Sequence, residues 1–396
     1  MFQETIQKLL EKTERNGLRF DGKIPQCWMQ YDGTYRLYNG GGWTDSFWVG
    51  IFYLAYAYTN DKKYLSIADK YQEFFRHRVV NTDESCQKYQ VPPLDHDIGF
   101  LFSLTEVARY QLTQDPEAKE IALKAAEILK GRFNEKGGFI RAWNSWPQDS
   151  AEFREEKRGK MIIDCMMNIP LLYWAYEQTG DESFHLVAKT HADTVMKYIV
   201  REDYSTYHTY NFNPETGEPL GGRTQQGYSD QSCWSRGQAW AIYGFGLAYQ
   251  AEKDPAYLKT AEGLVTYYVE HLGAGKMPAW DLEATQFPFC PWDSSAAAIA
   301  AAGVVQLAEV TSGEKAERYK ALAKDLLTHL TGLCGTEAFK EFEPFLLHGS
   351  IGPNFQQDKQ IPTQDIFAEQ GLVYGDYFYL EALMRLEKPG FHTFWL

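Results

Sequence analysis

Two carboxylates flank a histidine in Leu94-Asp95-His96-Asp97-Ile98-Gly99-Phe100, just before an apolar run, Ile98 to Tyr110, that reads as a buried helix. A further acid, Asp164, stands inside Met161-Ile162-Ile163-Asp164-Cys165-Met166-Met167. A charge embedded in apolar sequence costs free energy unless it is paired or used. Burial raises a carboxyl pKa, and a second carboxylate nearby raises it further. An acid still protonated near neutral pH is what general acid catalysis requires. Asp164 and Asp97 are therefore expected to share one pocket.

The stretch Cys233-Trp234-Ser235-Arg236-Gly237-Gln238-Ala239-Trp240 sets Arg236 between two tryptophans. A guanidinium there can fork onto a carboxylate while a ring lies on a sugar face, or it can pair with one of the protein's own aspartates. Of nine histidines, only His96, His208 and His348 lie at the predicted loop end of the ring. They are too dispersed for a metal centre, and no metal is expected. His96 is read as a hydrogen-bond partner of substrate or of Asp97; for His208 and His348 a pocket role and plain surface weigh equally. The run Gly221 to Gly227 lacks the Gly-Lys-Ser/Thr ending of a phosphate loop and a buried strand before it. Asp45, Asp293 and Asp376 stand at helix starts, where an aspartate first of all reads as an N-cap worth about 0.5–2 kcal/mol.

Composition narrows the partners. A net charge of −14 with no basic run argues against nucleic acid and anionic membrane. Aromatic residues make up 15% of the chain, with 11 Trp, more than packing needs and in keeping with flat faces for sugars. Cys27, Cys86, Cys165, Cys233, Cys290 and Cys334 have no paired spacing and suggest reduced thiols. The N-terminus is a charged amphipathic helix rather than a leader, and no spanning segment is evident, so a cytoplasmic location is expected.

The elements that must position these residues come from a recurring signal: an acid in a turn, then an alanine seven residues later. It occurs at Asp61 to Ala68, Asp115 to Ala122, Asp181 to Ala188, Asp254 to Ala261 and, more weakly, Glu314 to Ala321. Each turn follows a strongly apolar helix and precedes an amphipathic one, with Pro116 and Pro255 at first helical positions. The apolar helices are Asp45 to Tyr58, Asp97 to Leu112, Asp164 to Thr179, Arg236 to Glu252, Asp293 to Thr311 and Asp376 to Leu386. Their partners are Glu4 to Asn16, Lys62 to Arg78, Pro116 to Arg132, Glu182 to Val200, Pro255 to His271 and Lys315 to Leu330. Six buried helices and six half-solvated ones predict an all-α fold, an (α/α)6 barrel in a single domain spanning residues 1–396. Long connections, 31–43, 137–160, 203–235, 273–292 and 341–374, all enter one end of the inner ring, where the site is expected. A strand is expected at Tyr204 to Phe212.

Five motifs in register resemble the unsaturated glucuronyl hydrolases of glycoside hydrolase family 88: Trp43-Thr44-Asp45-Ser46-Phe47-Trp48, His96-Asp97-Ile98-Gly99-Phe100, Ile162-Ile163-Asp164-Cys165, Trp234 to Trp240 and Gly375-Asp376-Tyr377. The likeness runs from about Gln3 to Leu386. It implies an (α/α)6 barrel and a cytoplasmic exo-enzyme that needs no cofactor. Its reaction removes the 4,5-unsaturated uronic acid from the non-reducing end of lyase-generated glycosaminoglycan-type di- and oligosaccharides. Carried onto this chain, Asp164 matches the acid/base and Asp97 the second essential carboxylate. Trp43, His96, Trp143, His208, Gln226, Trp234, Arg236, Trp240 and His348 fall on or beside substrate-binding positions. In that chemistry the acid protonates C4 of a vinyl ether, so carboxylate separation does not predict inversion or retention. Relatives that prefer sulfated disaccharides carry a Ser/Lys patch in the last long loop, for which only Ser350 and Lys359 are available here. The rivals are an unsaturated rhamnogalacturonyl hydrolase acting on pectin fragments, a sugar 2-epimerase, which calls for paired histidines where this chain has aspartates, and a non-catalytic sugar-binding toroid. The last gives no reason for Asp164. Oligomeric state and source polysaccharide are not legible.

Overall fold

The computed structural model describes residues 2–146, 148–273, 275–284, 290–352 and 369–396. Its helices are α1 (Gln3–Phe20), α2 (Asp45–Thr59), α3 (Lys62–Ala68), α4 (Gln72–Arg78), α5 (Asp83–Tyr89), α6 (Ile98–Phe102), α7 (Ala108–Thr113) and α8 (Pro116–Lys130). They continue as α9 (Ala151–Arg158), α10 (Pro170–Thr179), α11 (Glu182–Tyr198), α12 (Ser235–Glu252), α13 (Pro255–Glu270), α14 (Ser294–Val310), α15 (Gly313–Cys334) and α16 (Val373–Glu387). A π-helical turn, Ser103–Val107, joins α6 to α7, and a 3-10 turn, Ile163–Met167, precedes α10.

Contacts run from α2 to α6, α10, α12, α14, α16 and back to α2, closing an inner ring. The expected (α/α)6 architecture is the one observed. Inner helices are buried on nearly all faces. In α14 every residue from Ser294 to Ala308 is buried, and its many alanines let neighbours approach. Outer helices bury one stripe; α8 does so with Ala118, Ile121, Ala122, Ala125, Ala126 and Leu129.

The recurring acid is the joint between the rings. Inner helices end on a left-handed residue, Asn60, Gln114, Gly180 or Lys253, and the next residue is Asp61, Asp115, Asp181 or Asp254. Each of these carboxylates accepts an N–H in the first turn of the following helix, from Lys63, Glu117, Ser183 or Ala256. The left-handed residue reverses the chain and the aspartate caps the outer helix. Glu314 differs: it lies inside the first turn of α15, after Ser312.

Some boundaries depart from expectation. The segment from Asp97 to Leu112 is broken by the π turn. Asp164 lies in the 3-10 turn rather than opening an α-helix, because Pro170 takes the first α-helical position of α10. Asp293 is the cap it was expected to be, accepting from Ser295 N at 3.1 Å and Ala296 N at 3.4 Å. Asp45 and Asp376 are not caps. Asp45 takes the Tyr38 hydroxyl and the Gly41 N–H, and Asp376 takes Phe345 N at 2.9 Å, Leu346 N at 3.1 Å and the Tyr35 hydroxyl at 2.9 Å. Both anchor loops to the ring.

The long connections carry short antiparallel strands: β1 (Ile24–Met29) with β2 (Tyr35–Tyr38), β3 (Phe133–Asn134) with β4 (Phe139–Ile140), and a sheet of β5 (Lys160–Ile162), β6 (Thr209–Phe212) and β7 (Pro219–Arg223). The strand expected over Tyr204 to Phe212 is confined to β6. At the opposite end of the ring Trp395 stacks on Phe378 with centroids 5.9 Å apart and planes 2° from parallel, and its indole N–H donates to Glu381 at 3.0 Å.

Candidate active site

Sheet register brings the first pair of groups together. Ile162 of β5 lies opposite Thr209 of β6, and Ile163 N donates to His208 O at 3.0 Å. Asp164 and His208 thus leave adjacent strand ends side by side. His208 Nδ1 accepts the N–H groups of Gln225 at 3.0 Å and Gln226 at 3.2 Å, so the ring proton resides on Nε2. That nitrogen lies 3.9 Å from Asp164 Oδ2, beyond a hydrogen bond, and Oδ2 has no partner among the described residues. Burial, with Arg236 and Lys160 nearby, holds the His208 pKa well below normal, and the ring is neutral.

Asp97 arrives from the start of α6. It makes no side-chain cap, and its N–H bonds Asp95 Oδ1 at 3.1 Å, which fixes the turn. His96 Nε2 lies 3.3 Å from Asp97 Oδ1, and burial lowers its pKa to about 4. Approach of α6 to the Asp164 turn depends on Gly99, where a Cβ would fall 2.3 Å from the backbone of Asn168. Only glycine allows that contact.

Burial moves both acids upward. Asp164 rises to about 7, moderated by the positive charge of Arg236. Asp97 rises well above the carboxylate range because burial is reinforced by Asp95 and Asp164 and only partly opposed by Arg132 and a hydrogen bond from Asn168. Two buried carboxyls in mutual range resist ionising together. Among the described residues Asp164 has no lysine or arginine ion pair. Asp95, His96 and Asp97 do offer donor atoms within 4.8 Å of one another. The Arg132 guanidinium, bonded to Leu94 O at 3.4 Å and Asn144 Oδ1 at 2.9 Å, supplies positive charge beside them.

Aromatic rings border the acids. Trp143 stands edge-on to His96 at 6.1 Å and to His208 at 6.4 Å, and Trp234 lies 4.4 Å from His208. Trp43, partly exposed, leans on Tyr374 at 5.1 Å and Phe100 at 5.7 Å.

Four residues of the expected substrate-binding set are placed differently. Trp240 is fully buried against Phe100 at 5.1 Å and Phe378 at 5.3 Å, on the core side of α12. Arg236 engages its terminal nitrogens on Asp293 at 2.7 Å, Ile351 O at 2.8 Å and Ser350 O, with Trp234 on its face at 4.5 Å. It pairs with an inner aspartate rather than presenting a free fork. Gln226 donates its side-chain amide to Ile351 O at 2.7 Å, tying two loops together. His348 is half-exposed and bonded to Glu369, beside Trp292 at 5.9 Å, with no contact to the acids. Lys359 lies outside the described residues. Two residues of the site, Arg132 and Asn168, do not stand out from sequence reasoning. Asn168 nevertheless carries the same signal as Asp164, a polar group inside an apolar run, four residues on.

Known proteins resemble this chain over nearly its whole length. The sequence model of Glycosyl Hydrolase Family 88 matches residues 23–274. The unsaturated chondroitin disaccharide hydrolase of Streptococcus agalactiae serotype III is 37% identical over 390 residues, 98% of this chain and 91% of its own. The crystal structure of the unsaturated glucuronyl hydrolase of Bacillus sp. GL1 superposes with a TM-score of 0.88 at 35% identity, covering 100% of this chain and 99% of that one. An Asp-to-Asn variant of the S. agalactiae unsaturated glucuronyl hydrolase, complexed with dGlcA-GalNAc6S, superposes with a TM-score of 0.80 at 33% identity, over 99% of this chain and 93% of that one.

Proposed function

Because the chain belongs to glycosyl hydrolase family 88 and is an enzyme of the unsaturated glucuronyl hydrolase type, we propose that Asp164 and Asp97 hydrate the C4=C5 bond of an unsaturated uronate at the non-reducing end of glycosaminoglycan-type di- and oligosaccharides. The carrying observation is the pair itself: two buried carboxyls in mutual range, one with an oxygen free of partners and facing a neutral imidazole N–H.

Asp164, protonated, gives its proton to C4 of the vinyl ether, and the positive charge develops at C5 and the ring oxygen. Asp164, now a carboxylate, takes a proton from the water that adds at C5. The hemiketal so formed opens by breaking the bond between C5 and the ring oxygen, and the hemiacetal left at C1 releases the rest of the sugar. Asp97 hydrogen-bonds the ring hydroxyls, and a second buried carboxyl this close keeps the pair from ionising together. The His208 Nε2–H and the positive field of Arg236 favour the uronate, while Trp43, Trp143 and Trp234 supply flat faces. Arg236 acts here through charge and by holding the loop at Ser350 and Ile351, since its terminal nitrogens are engaged.

Six free cysteines, none of them exposed, support a cytoplasmic site of action. The decisive test is turnover of an unsaturated chondroitin disaccharide in D2O, followed by loss of the ene-carboxylate absorbance and by NMR. The expected result is one solvent deuterium at C4 of the released uronate at early times. Turnover without C4 labelling sinks the mechanism, and preference for an unsaturated rhamnogalacturonan disaccharide moves the substrate to pectin.

A further inference from the structure

Asn168 is fully buried one residue after the 3-10 turn that carries Asp164, and each part of its amide has an assigned partner. Its Oδ1 accepts the N–H of Phe100 at 2.7 Å, in the first turn of the helix that Asp97 begins. Its Nδ2 donates to the carbonyl of Asp164 at 3.2 Å. Because one neighbour is a donor and the other an acceptor, the amide can sit only one way round. Its backbone fills the space beside Gly99, where a Cβ would lie 2.3 Å away. A single side chain therefore touches both segments that deliver the acids.

We propose that Asn168 is a positioning residue that sets the spacing of the Asp97 and Asp164 segments by bridging the Phe100 N–H and the Asp164 carbonyl. The proposal rests on the reading of Asp164 as the acid. The other groups bearing on the pair act in both directions. Asp95 and Arg132 oppose one another at Asp97, with neutral His96 alongside, while Arg236 and neutral His208 face Asp164. The buried Cys165 thiol adjoins both acids. None of these bridges the two segments by hydrogen bonds as Asn168 does.

The test compares wild type with Asn168→Asp and Asn168→Ser, both of which lack the amide donor, and with Asp164→Asn, using an unsaturated chondroitin disaccharide across the pH range. A carboxyl raises its neighbour's pKa only while the two segments are held close. The basic limb of kcat/KM, where the pair loses its last proton, is therefore expected to move down by about one pH unit. kcat at the wild-type optimum should fall about tenfold or more while KM stays within about threefold. A merely structural residue lowers the melting temperature and the active fraction without moving the limb, and that outcome overturns the proposal while leaving the reaction intact. Full activity in Asp164→Asn overturns both. A measurement independent of turnover is a 13C-carboxyl titration of wild type and Asn168→Ser: a smaller separation between the two apparent pKa values in the variant is expected, and unchanged values overturn the proposal.

Discussion

Glu381 and Asp164 are both carboxyls buried in the inner ring and both raised by that burial, yet their oxygens meet different surroundings. At the closed end, Glu381 Oε1 takes the Tyr243 hydroxyl and Arg385 Nη1 at 3.1 Å, and Oε2 takes the Trp395 indole at 3.0 Å. Arg385 continues to Gln306 at 2.6 Å and Glu309 at 2.6 Å. Charge and hydrogen bonds are matched, and the group has nothing left to offer a ligand. At the open end, among the described residues, Asp164 Oδ2 has no hydrogen-bond partner, with an imidazole 3.9 Å off, and the carboxyl makes no lysine or arginine ion pair. A satisfied buried acid holds structure together, whereas an unsatisfied one is available for chemistry.

The contrast between the two ends breaks first, and most visibly, at Asp164. Replacement by Asn should reduce release of the unsaturated uronate by about 10²–10⁴-fold, measured by absorbance, with helical content unchanged in circular dichroism. At the other pole, Glu381→Leu strips the Tyr243 hydroxyl and the Trp395 indole of their acceptor while Glu309 still pairs with Arg385, and should cost about 1–3 kcal/mol in urea unfolding, while activity per folded molecule stays at the wild-type level. Equal effects of both substitutions on activity would erase the distinction between the two ends.

A subtler consequence is the pH dependence of stability. The folded pKa of Asp164, about 7, lies above the ordinary carboxyl value of about 4. Between those values the native chain holds a proton that the unfolded chain has released, so this group destabilises the fold increasingly as pH rises from about 4 to about 7. Asp164→Asn lacks that proton linkage and should gain on wild type over the same interval, by on the order of a few kcal/mol, then run parallel above it. A gap that opens toward acid instead contradicts the assignment. The smallest effect expected is at a ring joint: Lys253 occupies a left-handed position with φ 56°, and Lys253→Gly should raise stability by about 0.5–1 kcal/mol in urea titrations without touching activity.

Much of this architecture is legible in the sequence alone. The acid-to-alanine spacing marks Asp61, Asp115, Asp181 and Asp254 because a two-residue joint needs a cap, and caps are local chemistry. Asp97, Asp164 and the tryptophans at 43, 143 and 234 stand out through residue type alone. The features that escape depend on distant chain. Arg236 reads as either a substrate fork or the partner of an inner aspartate until Asp293, 57 residues on, and Ile351, 115 residues on, engage its nitrogens. Trp240 shares its motif with Trp234, and only the ring geometry tells which indole faces the core. The turn holding Asp164 reads as α-helix unless Pro170 is weighed as a helix start.

The two rims of the ring are joined by unequal lengths of chain. At the closed rim the outer helix follows the inner one after two residues, so one inserted residue there rotates the next helix by about 100° and turns its apolar stripe away from its neighbours. At the open rim the same insertion disappears into a loop. Lineages exploring new sugars are thus free to edit the rim that meets the ligand while the opposite rim holds the register of the whole barrel.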